Sequence, residues 1–293
     1  MIVVTGATGS IGRALAARLH IAGVPFRVMA RNPAVAAGLG GEVVYGDFDE
    51  PGSLATAFAG ADQLFLNAGG ARPVDGPQPM IRQQKAAIDA ARTAEVDHVV
   101  KVSVWRAAPG RLLAEGAHGE IEGYLHDAGM PATVLQPSGF MQNFVTGVAG
   151  FAPDGSLVDT YAGSPVSYID ADDIAACAAA VLVGGAGRCG THVLTGPEAL
   201  TTAEIATLIA AAIGRPVPVA DLPPDRLAAS LVEQGVPVRF AGDVATLCRD
   251  VATGVLAGTT GTVAALTGRA PRTFAAFAAA HAEALRRAAT TRA

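Results

Sequence analysis

Short runs of β-branched and aliphatic residues alternate with longer amphipathic stretches through the first half of the chain. Runs rich in β-branched residues predict strands, and apolar residues that recur every three or four positions predict helices. Strands that alternate with helices predict an α/β fold with a doubly wound parallel sheet of the Rossmann type. After the N-terminal strand, the predicted strands are 26–30, 42–45, 62–67, 98–103 and 132–136, and the predicted helices are 78–94 and 117–128.

The second half of the chain has a different pattern. After Pro137 glycines and prolines become frequent, the apolar runs shorten, and the later residues are mainly helical in pattern. We predict an NADP(H)-binding core over 1–136 and a small, mainly helical substrate-binding region over 137–293 that completes the same domain. Within this region, two short amphipathic helices separated by Gly235-Val236-Pro237 span 223–255. They form either a lid or a hairpin fixed on the core.

The N-terminal strand ends in a glycine-rich turn. Gly6, Gly9 and Gly12 are spaced by three residues between a β-branched run and an Ala- and Leu-rich helical stretch. This context is typical of a dinucleotide site: Gly6 permits a tight turn, Gly9 lets the backbone approach a pyrophosphate, and Gly12 allows close helix packing. The amides of the first helical turn then face the phosphates. We expect cofactor contacts from Thr5, Gly6, Thr8, Gly9, Ser10, Ile11 and Gly12.

The end of the second predicted strand indicates which dinucleotide binds. A site that prefers NAD has an acidic residue about twenty residues after the glycines, where it binds the ribose 2′-hydroxyl. This chain has Arg31 there, and a guanidinium pairs with a 2′-phosphate. Arg13 offers a second positive charge. The sequence therefore predicts NADP(H), with further cofactor contacts from Asp47, Phe48, Asn67, Ala68 and Gly69.

Composition and charge restrict the class of partner. The net charge is −5, and 21 basic residues, of which only Lys85 and Lys101 are lysines, form no basic patch, which argues against nucleic acid. Three cysteines without a CxxC pair or a neighbouring histidine cluster predict reduced thiols and no metal site. The chain starts directly with a strand and has no apolar stretch of membrane length. We expect a cytoplasmic monomer or homodimer that does not bind membranes.

Several motifs are distributed over nearly the whole chain. They are the Thr5–Gly12 loop, Gly46-Asp47-Phe48, Val102-Ser103, His118-x-x-x-Glu122, Gln136-Pro137-x-x-Phe140-Met141-x-Asn143, Asp170-x-x-Asp173 and the tail Arg269-x-Pro271-Arg272. In these motifs the chain resembles the NmrA-like, atypical short-chain dehydrogenase/reductases, including bacterial polyketide-tailoring ketoreductases of the angucyclinone type. The resemblance implies a Rossmann fold, NADP(H) binding and a cofactor contact from Pro137. The group also includes quinone reductases, dye reductases and redox-sensing regulators without turnover.

The chain departs from ordinary short-chain reductases at the proton donor. Those enzymes use a Tyr-x-x-x-Lys pair, and none of the four tyrosines here has a lysine four positions later. Three donors stay open. Ser103, at the end of the fifth strand, would hydrogen-bond a substrate carbonyl. His118, at the predicted start of the next helix, has a side chain whose pKa ordinarily suits neutral pH. The third is a substrate phenol next to the reacting carbonyl.

Aromatic and apolar residues near these donors predict a pocket for a flat substrate. We expect substrate contacts from Trp105, Phe140, Met141, Phe144 and Tyr168. The sequence therefore predicts an NADPH-dependent ketoreductase that acts on an aromatic polyketide or quinone-like carbonyl, with Ser103 and His118 as candidate catalytic residues. A quinone or dye reductase and a non-catalytic NADP(H) sensor are the alternatives.

Overall fold

The computed structural model describes residues 1–146, 150–185 and 187–290, and it has two parallel sheets. The strands are β1 (Ile2–Val4), β2 (Phe26–Ala30), β3 (Glu42–Tyr45), β4 (Gln63–Leu66), β5 (His98–Val102), β6 (Ala132–Pro137), β7 (Leu157–Asp159), β8 (Gly190–Leu194) and β9 (Val219–Asp221). The main sheet has the order β3-β2-β1-β4-β5-β6-β8, and β7 pairs with β9. The order reverses between β1 and β4, which is where a Rossmann sheet opens its ligand crevice.

Helices cover both faces of the main sheet. In chain order they are α1 (Ser10–Ile21), α2 (Pro33–Ala36), α3 (Pro51–Phe58), α4 (Pro79–Thr93), α5 (Leu113–Asp127), α6 (Asn143–Thr146), α7 (Ala171–Gly184), α8 (Thr202–Ile213), α9 (Pro224–Glu233), α10 (Val238–Val251), α11 (Thr262–Thr267), α12 (Phe274–Ala280) and α13 (Ala282–Ala288). Helices α1 and α7 cover one face, and α3, α4 and α5 cover the other. This architecture confirms the predicted doubly wound α/β class with a mainly helical C-terminal part.

The strands of the sheet centre are buried on both faces. In β5, Val100 packs in the core beneath α1 and α7, whereas Val99 packs in the core beneath α3, α4 and α5. A strand buried on both sides is read in the sequence as a continuous apolar run. Strands β2 and β3 have the predicted bounds, although β3 is an edge strand with exposed ends, and β5 and β6 differ from prediction by one residue.

Helix α5 begins four residues before its predicted start. Its N-cap is Leu112, which provides no side-chain cap, so the usual polar signal for a helix start is missing. Gly116 and Gly119 are needed because a Cβ at either position would clash with the backbone of the preceding loop, at Arg111 and Ala108. Two glycines that weaken helix propensity therefore lie inside the helix for packing reasons.

The second half of the chain supplies part of the main sheet as well as the helical region. Strand β8 pairs with β6, and α7 packs against α1. Helices α8, α12 and α13 form a third core. Helix α9 has no buried residue, whereas α10 is tied to the β5–α5 loop by an ion pair between Arg106 and Asp250, at 2.6 Å. Among the described helices, none is long and apolar enough to cross a bilayer.

Candidate cofactor and acceptor site

The glycine-rich turn joins β1 to α1 with no room for side chains. Gly6 has a φ of +61°, and a Cβ there would lie 2.7 Å from the carbonyl oxygen of Asn67. A Cβ on Gly12 would clash with the backbone of Gly6 and Ala7. Gly9 is the N-cap of α1 and offers no side-chain acceptor, so the first amides of the helix are free to bind an anion.

A cavity of about 520 Å³ opens beside this turn. Of the predicted cofactor residues, it is lined by Gly6, Thr8, Gly9, Arg31, Asp47, Phe48, Asn67, Ala68 and Gly69. Sequence reasoning missed other lining residues, including Met29, Asn32, Val35, Arg72, Met80 and Gln83. The cavity follows the carboxyl edge of β1, β2 and β4, which is the position of a dinucleotide in this fold.

Arg31 lies at the rim of the cavity with an unpaired charge. It is exposed, and within the described parts of the chain it forms neither an ion pair nor a hydrogen bond. Its positive field contributes to lowering the pKa of Asp49, although hydrogen bonds from Arg82 and Gln83 are the larger causes. A free guanidinium beside a glycine cradle fits the 2′-phosphate of NADP(H).

Other predicted cofactor residues build the cavity without lining it. The hydroxyl of the buried Thr5 donates to the backbone carbonyl oxygen of Asn67 and accepts from the backbone amide of Asn67, both at 2.9 Å. Arg13, suggested as a second phosphate partner, donates instead to the carbonyl oxygen of Thr8 at 2.8 Å. Ile11 and Gly12 are buried in the first turn of α1, where Ser10 is exposed. Pro137 ends β6, and its carbonyl oxygen accepts from the amide of Trp105.

The segment from Gly46 to Ser53 is held by its own polar groups. The carboxylate of Asp47 accepts a hydrogen bond from the backbone amide of Asp49 at 3.0 Å. The backbone amide of Asp47 donates to the Ser53 hydroxyl at 2.9 Å. Asp49 in turn accepts from Gln83 of α4 at 2.9 Å. Gln83 therefore reaches the cavity from a distant helix, and no local motif announces it.

At the carboxyl ends of β5 and β6, the carboxylate of Glu122 accepts hydrogen bonds from two polar side chains. Ser103 donates its hydroxyl hydrogen to Glu122 of α5. The amide nitrogen of Gln136 lies 3.0 and 3.1 Å from the two oxygens of the same carboxylate. Ser103 is almost fully buried, and while it keeps this bond it offers a substrate only its lone pairs. Its predicted role as a donor to a carbonyl therefore requires the bond to Glu122 to break.

His118 contacts a buried lysine that the sequence reasoning passed over. Lys101 of β5 is fully buried, and its Nζ lies 2.7 Å from Nδ1 of His118. Burial and, secondarily, the field of Lys101 lower the pKa of His118 to about 2. The expectation of an imidazole that titrates near neutral pH is therefore wrong, and so is its place at the helix start, since α5 begins at Leu113. A lysine inside an otherwise apolar strand was the available signal.

The predicted substrate residues separate into two groups. Met141 and Phe144 are 1 % and 3 % exposed in the third core, and Phe144 stacks edge-on against Phe274 at 5.2 Å. Packing accounts for these two side chains in the third core, and their contact with a substrate stays a prediction. Trp105 is partly exposed.

Of the remaining two residues, Tyr168 packs against the third core and Phe140 packs against the core beneath α1 and α7. Tyr168 packs edge-on against Phe144 at 5.0 Å and covers Gly139, and burial raises its pKa well above the ordinary value. Phe140 is half-buried and bridges to Ile169. Across the described ranges no cluster of His, Cys, Asp or Glu side chains is arranged to hold a metal ion.

Comparison with known proteins places this geometry among reductases. Residues 1–253 match the NmrA-like family. The chain is 35% identical over 288 residues to an NAD(P)H azoreductase of Xenophilus azovorans, covering 97% of this chain and 99% of that protein. It is 33% identical over 288 residues, with the same coverage, to a (4-alkanoyl-5-oxo-2,5-dihydrofuran-3-yl)methyl phosphate reductase of Streptomyces griseus. An NADPH-dependent quinone oxidoreductase of Escherichia coli, solved with NADPH, superposes with a TM-score of 0.81 at 25% identity, covering 96% and 99% of the two chains.

Proposed function

The chain belongs to the NmrA-like family, and on that premise we propose that it reduces quinone-type or azo-type aromatic acceptors. It is an NADPH-dependent oxidoreductase. The observation that carries the proposal is the identity of 35% with an azoreductase along almost the full length of both chains, and likeness to a quinone oxidoreductase supports it. The predicted ketoreductase of aromatic polyketides becomes the second candidate.

The residues of the cavity fit NADP(H). The amides at the start of α1 would hold the pyrophosphate, Arg31 the 2′-phosphate, and the Asn67–Gly69 segment the nicotinamide ribose. Bound there, the cofactor supplies a hydride to the acceptor. Asp47 and Phe48 lie at the rim where the adenine would bind. These residues bind and orient the cofactor, and the chemistry of the acceptor depends on the side chains at the ends of β5 and β6.

The acceptor site is proposed between the end of β6 and the loop that follows β5. Phe140, Tyr168 and Trp105 supply partly exposed aromatic surface there. A quinone or azo group spreads the charge that develops on reduction over its rings, so its reduction does not depend on the Ser103 hydroxyl as the acid. This property suits a site in which the hydroxyl of Ser103 is already bonded to Glu122.

Product analysis under anaerobic conditions tests the proposal. NADPH is supplied with a naphthoquinone, an azo dye or a hydroxylated anthraquinone, and products are identified by mass. We expect hydroquinones from the quinones and a cleaved or hydrazo product from the dye. An alcohol from the anthraquinone, without hydroquinone, would favour the ketoreductase. NADPH binding without oxidation by any acceptor would indicate a sensor.

The ketoreductase candidate is supported by a relative whose substrate, by its name, carries carbonyl groups. The furanone phosphate reductase of Streptomyces griseus is 33% identical along nearly all of this chain. A phenol next to the reacting ketone would supply a proton intramolecularly, at an effective concentration that a loosely placed side chain does not match. Under this candidate, methylating that phenol nearly abolishes turnover.

A further inference from the structure

We propose that Lys101 and His118 form a buried proton relay that protonates the acceptor after it has received a hydride. The relay deepens the proposed function and rests on it. His118 is the residue that would touch the acceptor. Lys101 acts through His118 and is a positioning residue that also holds the proton.

Lys101 is buried at a strand position that an apolar side chain could fill. The neighbours of Lys101 in β5 are valines, and Val99 and Ile121 are fully buried in the layer between β5 and α5. Burying an amine is costly unless polar groups receive it. Here Nζ donates to the carbonyl oxygen of Val102 at 3.2 Å and lies 2.7 Å from Nδ1 of His118. A methionine would fill the space without that cost.

The contact with Lys101 also selects the tautomer of His118. When Lys101 is an ammonium group, Nδ1 of His118 must accept its hydrogen, so the imidazole carries its own hydrogen on Nε2. Within the described parts of the chain, Nε2 has no hydrogen-bond partner. This N–H is therefore left without a partner among the described residues, as the proposed relay requires.

The Lys101–His118 pair lies near the carboxyl edge of the sheet, where the cofactor cavity opens. Lys101 pairs in register with Leu66, the residue before the Asn67–Gly69 segment that lines the cavity. His118 lies in the second turn of α5, a helix that starts at the carboxyl edge of β5. Ligands of a doubly wound sheet bind at that edge. The relay thus runs from the interior toward the place where the acceptor is reduced.

The proton transfer balances without a charged imidazole. The reduced acceptor, an oxygen or nitrogen anion, takes the hydrogen from Nε2 of His118, and Nδ1 takes a hydrogen from the ammonium of Lys101. N–H bonds break at Nε2 and Nζ, and bonds form at the acceptor and at Nδ1. An ammonium and an anion become an amine and a neutral product, and no electrons change hands. The imidazole changes only its tautomer; afterwards a proton from solvent binds at Nε2 while the hydrogen on Nδ1 returns to Nζ, which restores both groups.

The acid strengths suit this route. Burial lowers the pKa of Lys101 to about 7, and the field of Glu122 opposes that shift. His118 has a pKa of about 2, so it does not hold a second proton in the ground state. The titratable groups recorded as facing Lys101 are His118 and Glu122, both on α5, and the polar group facing this core from α4 is the uncharged Gln84. The competing candidate, Ser103, already donates its hydrogen to Glu122.

The test uses Lys101→Met, with Lys85→Met as the matched control. Lys85 is the other lysine of the chain and lies on the surface, 3.9 Å from Glu120. With an azo dye, Lys101→Met should lower turnover by about 10² to 10⁴-fold, the usual contribution of general acid catalysis. The turnover of the intact protein should fall as the pH rises through about 7, and Lys101→Met should lose this step. The loss should be smaller with a cationic triphenylmethane dye, which accepts a hydride alone.

A second measurement reads the relay without turnover. In protein labelled with ¹³C at the lysine Cε, only Lys85 and Lys101 give signals, and Lys85→Met assigns the signal of Lys101. That signal should titrate near pH 7, and His118→Gln should move its midpoint. If Lys101→Met matches Lys85→Met in rate and pH profile while the intact protein reduces the dye, the relay alone is wrong. If none of the acceptors makes the intact protein oxidise NADPH, the proposed function is wrong, and the relay is wrong with it.

Discussion

The two ends of the cleft use different parts of the protein for chemistry. At the cofactor end the site is formed mainly by backbone groups, namely those of Gly6 and Gly12 and the first amides of α1. Arg31 adds one charge. At the acceptor end the work falls to side chains, with Ser103 bonded to Glu122 and Lys101 to His118. A backbone site tolerates most side-chain changes, whereas a chain of hydrogen bonds fails when one member is lost. We therefore expect cofactor binding and proton delivery to respond very differently to substitution.

At the acceptor end, His118→Ala should have the largest effect of the substitutions considered, and the effect should be on turnover. Turnover with an azo dye should fall by about 10² to 10⁴-fold, because the hydrogen that would reach the acceptor is lost. NADPH affinity, measured by fluorescence titration, should stay close to that of the intact protein. A modest loss here, combined with near abolition when an acceptor phenol is methylated, would assign the proton to the substrate.

Arg31→Ala tests the one charge at the cofactor end. The preference for NADPH over NADH should decrease by about 1 to 3 kcal/mol, the range of charge-assisted hydrogen bonds. Arg13→Ala is the matched control, since Arg13 bonds to the loop and should affect both nucleotides alike. The two dissociation constants are measured for each variant. Equal affinity of the intact protein for NADPH and NADH would contradict the assignment of Arg31.

Gly12→Ala tests the backbone construction itself. The added methyl would clash with the backbone of Gly6 and Ala7, so the free energy of unfolding should fall by about 1 to 3 kcal/mol. Gly9→Ala is the matched control, because its Cβ would lie 3.4 Å from the nearest atom, the carbonyl oxygen of Gly6. Urea unfolding compares the two variants. Equal stability would show that the turn can shift to admit a side chain.

The pH dependence of stability gives the smallest effect. Burial lowers the pKa of Lys101 to about 7 in the folded protein, below its value in the unfolded chain, so the unfolded state binds more protons above pH 7. Stability should therefore rise with pH. Between pH 7 and 8 the intact protein should gain about 1 kcal/mol relative to Lys101→Met. A difference that stays constant over this interval would mean that Lys101 keeps an ordinary pKa when folded.

The same contrast explains what the sequence could predict. The glycine turn and strands β2 and β3 were predictable because their signals are local: glycine spacing and short β-branched runs. Arg31 was predictable from its distance to the glycines. These features all belong to the cofactor end or to the sheet that carries it.

The acceptor end was predicted less completely because its contacts join distant elements. Ser103 and His118 were recognised by residue type, but their partners Glu122 and Lys101 depend on how α5 packs against β5. Phe144 is an aromatic residue of the kind that lines pockets, but it lies in a core. The periodicity of apolar residues does not distinguish these two locations. Strand β8 was missed because a short segment with glycine and histidine carries little strand signal.

A single-turnover experiment tests the central claim most directly. Protein in excess is loaded with NADPH and mixed anaerobically with an azo dye, and the oxidation of NADPH and the loss of dye colour are followed together. We expect the dye to lose its colour at the rate at which NADPH is oxidised, with one NADPH consumed per dye reduced to the hydrazo product and two per dye cleaved to amines, and we expect NADH to support the reaction poorly. NADPH that stays bound and reduced while the dye keeps its colour would contradict the central claim.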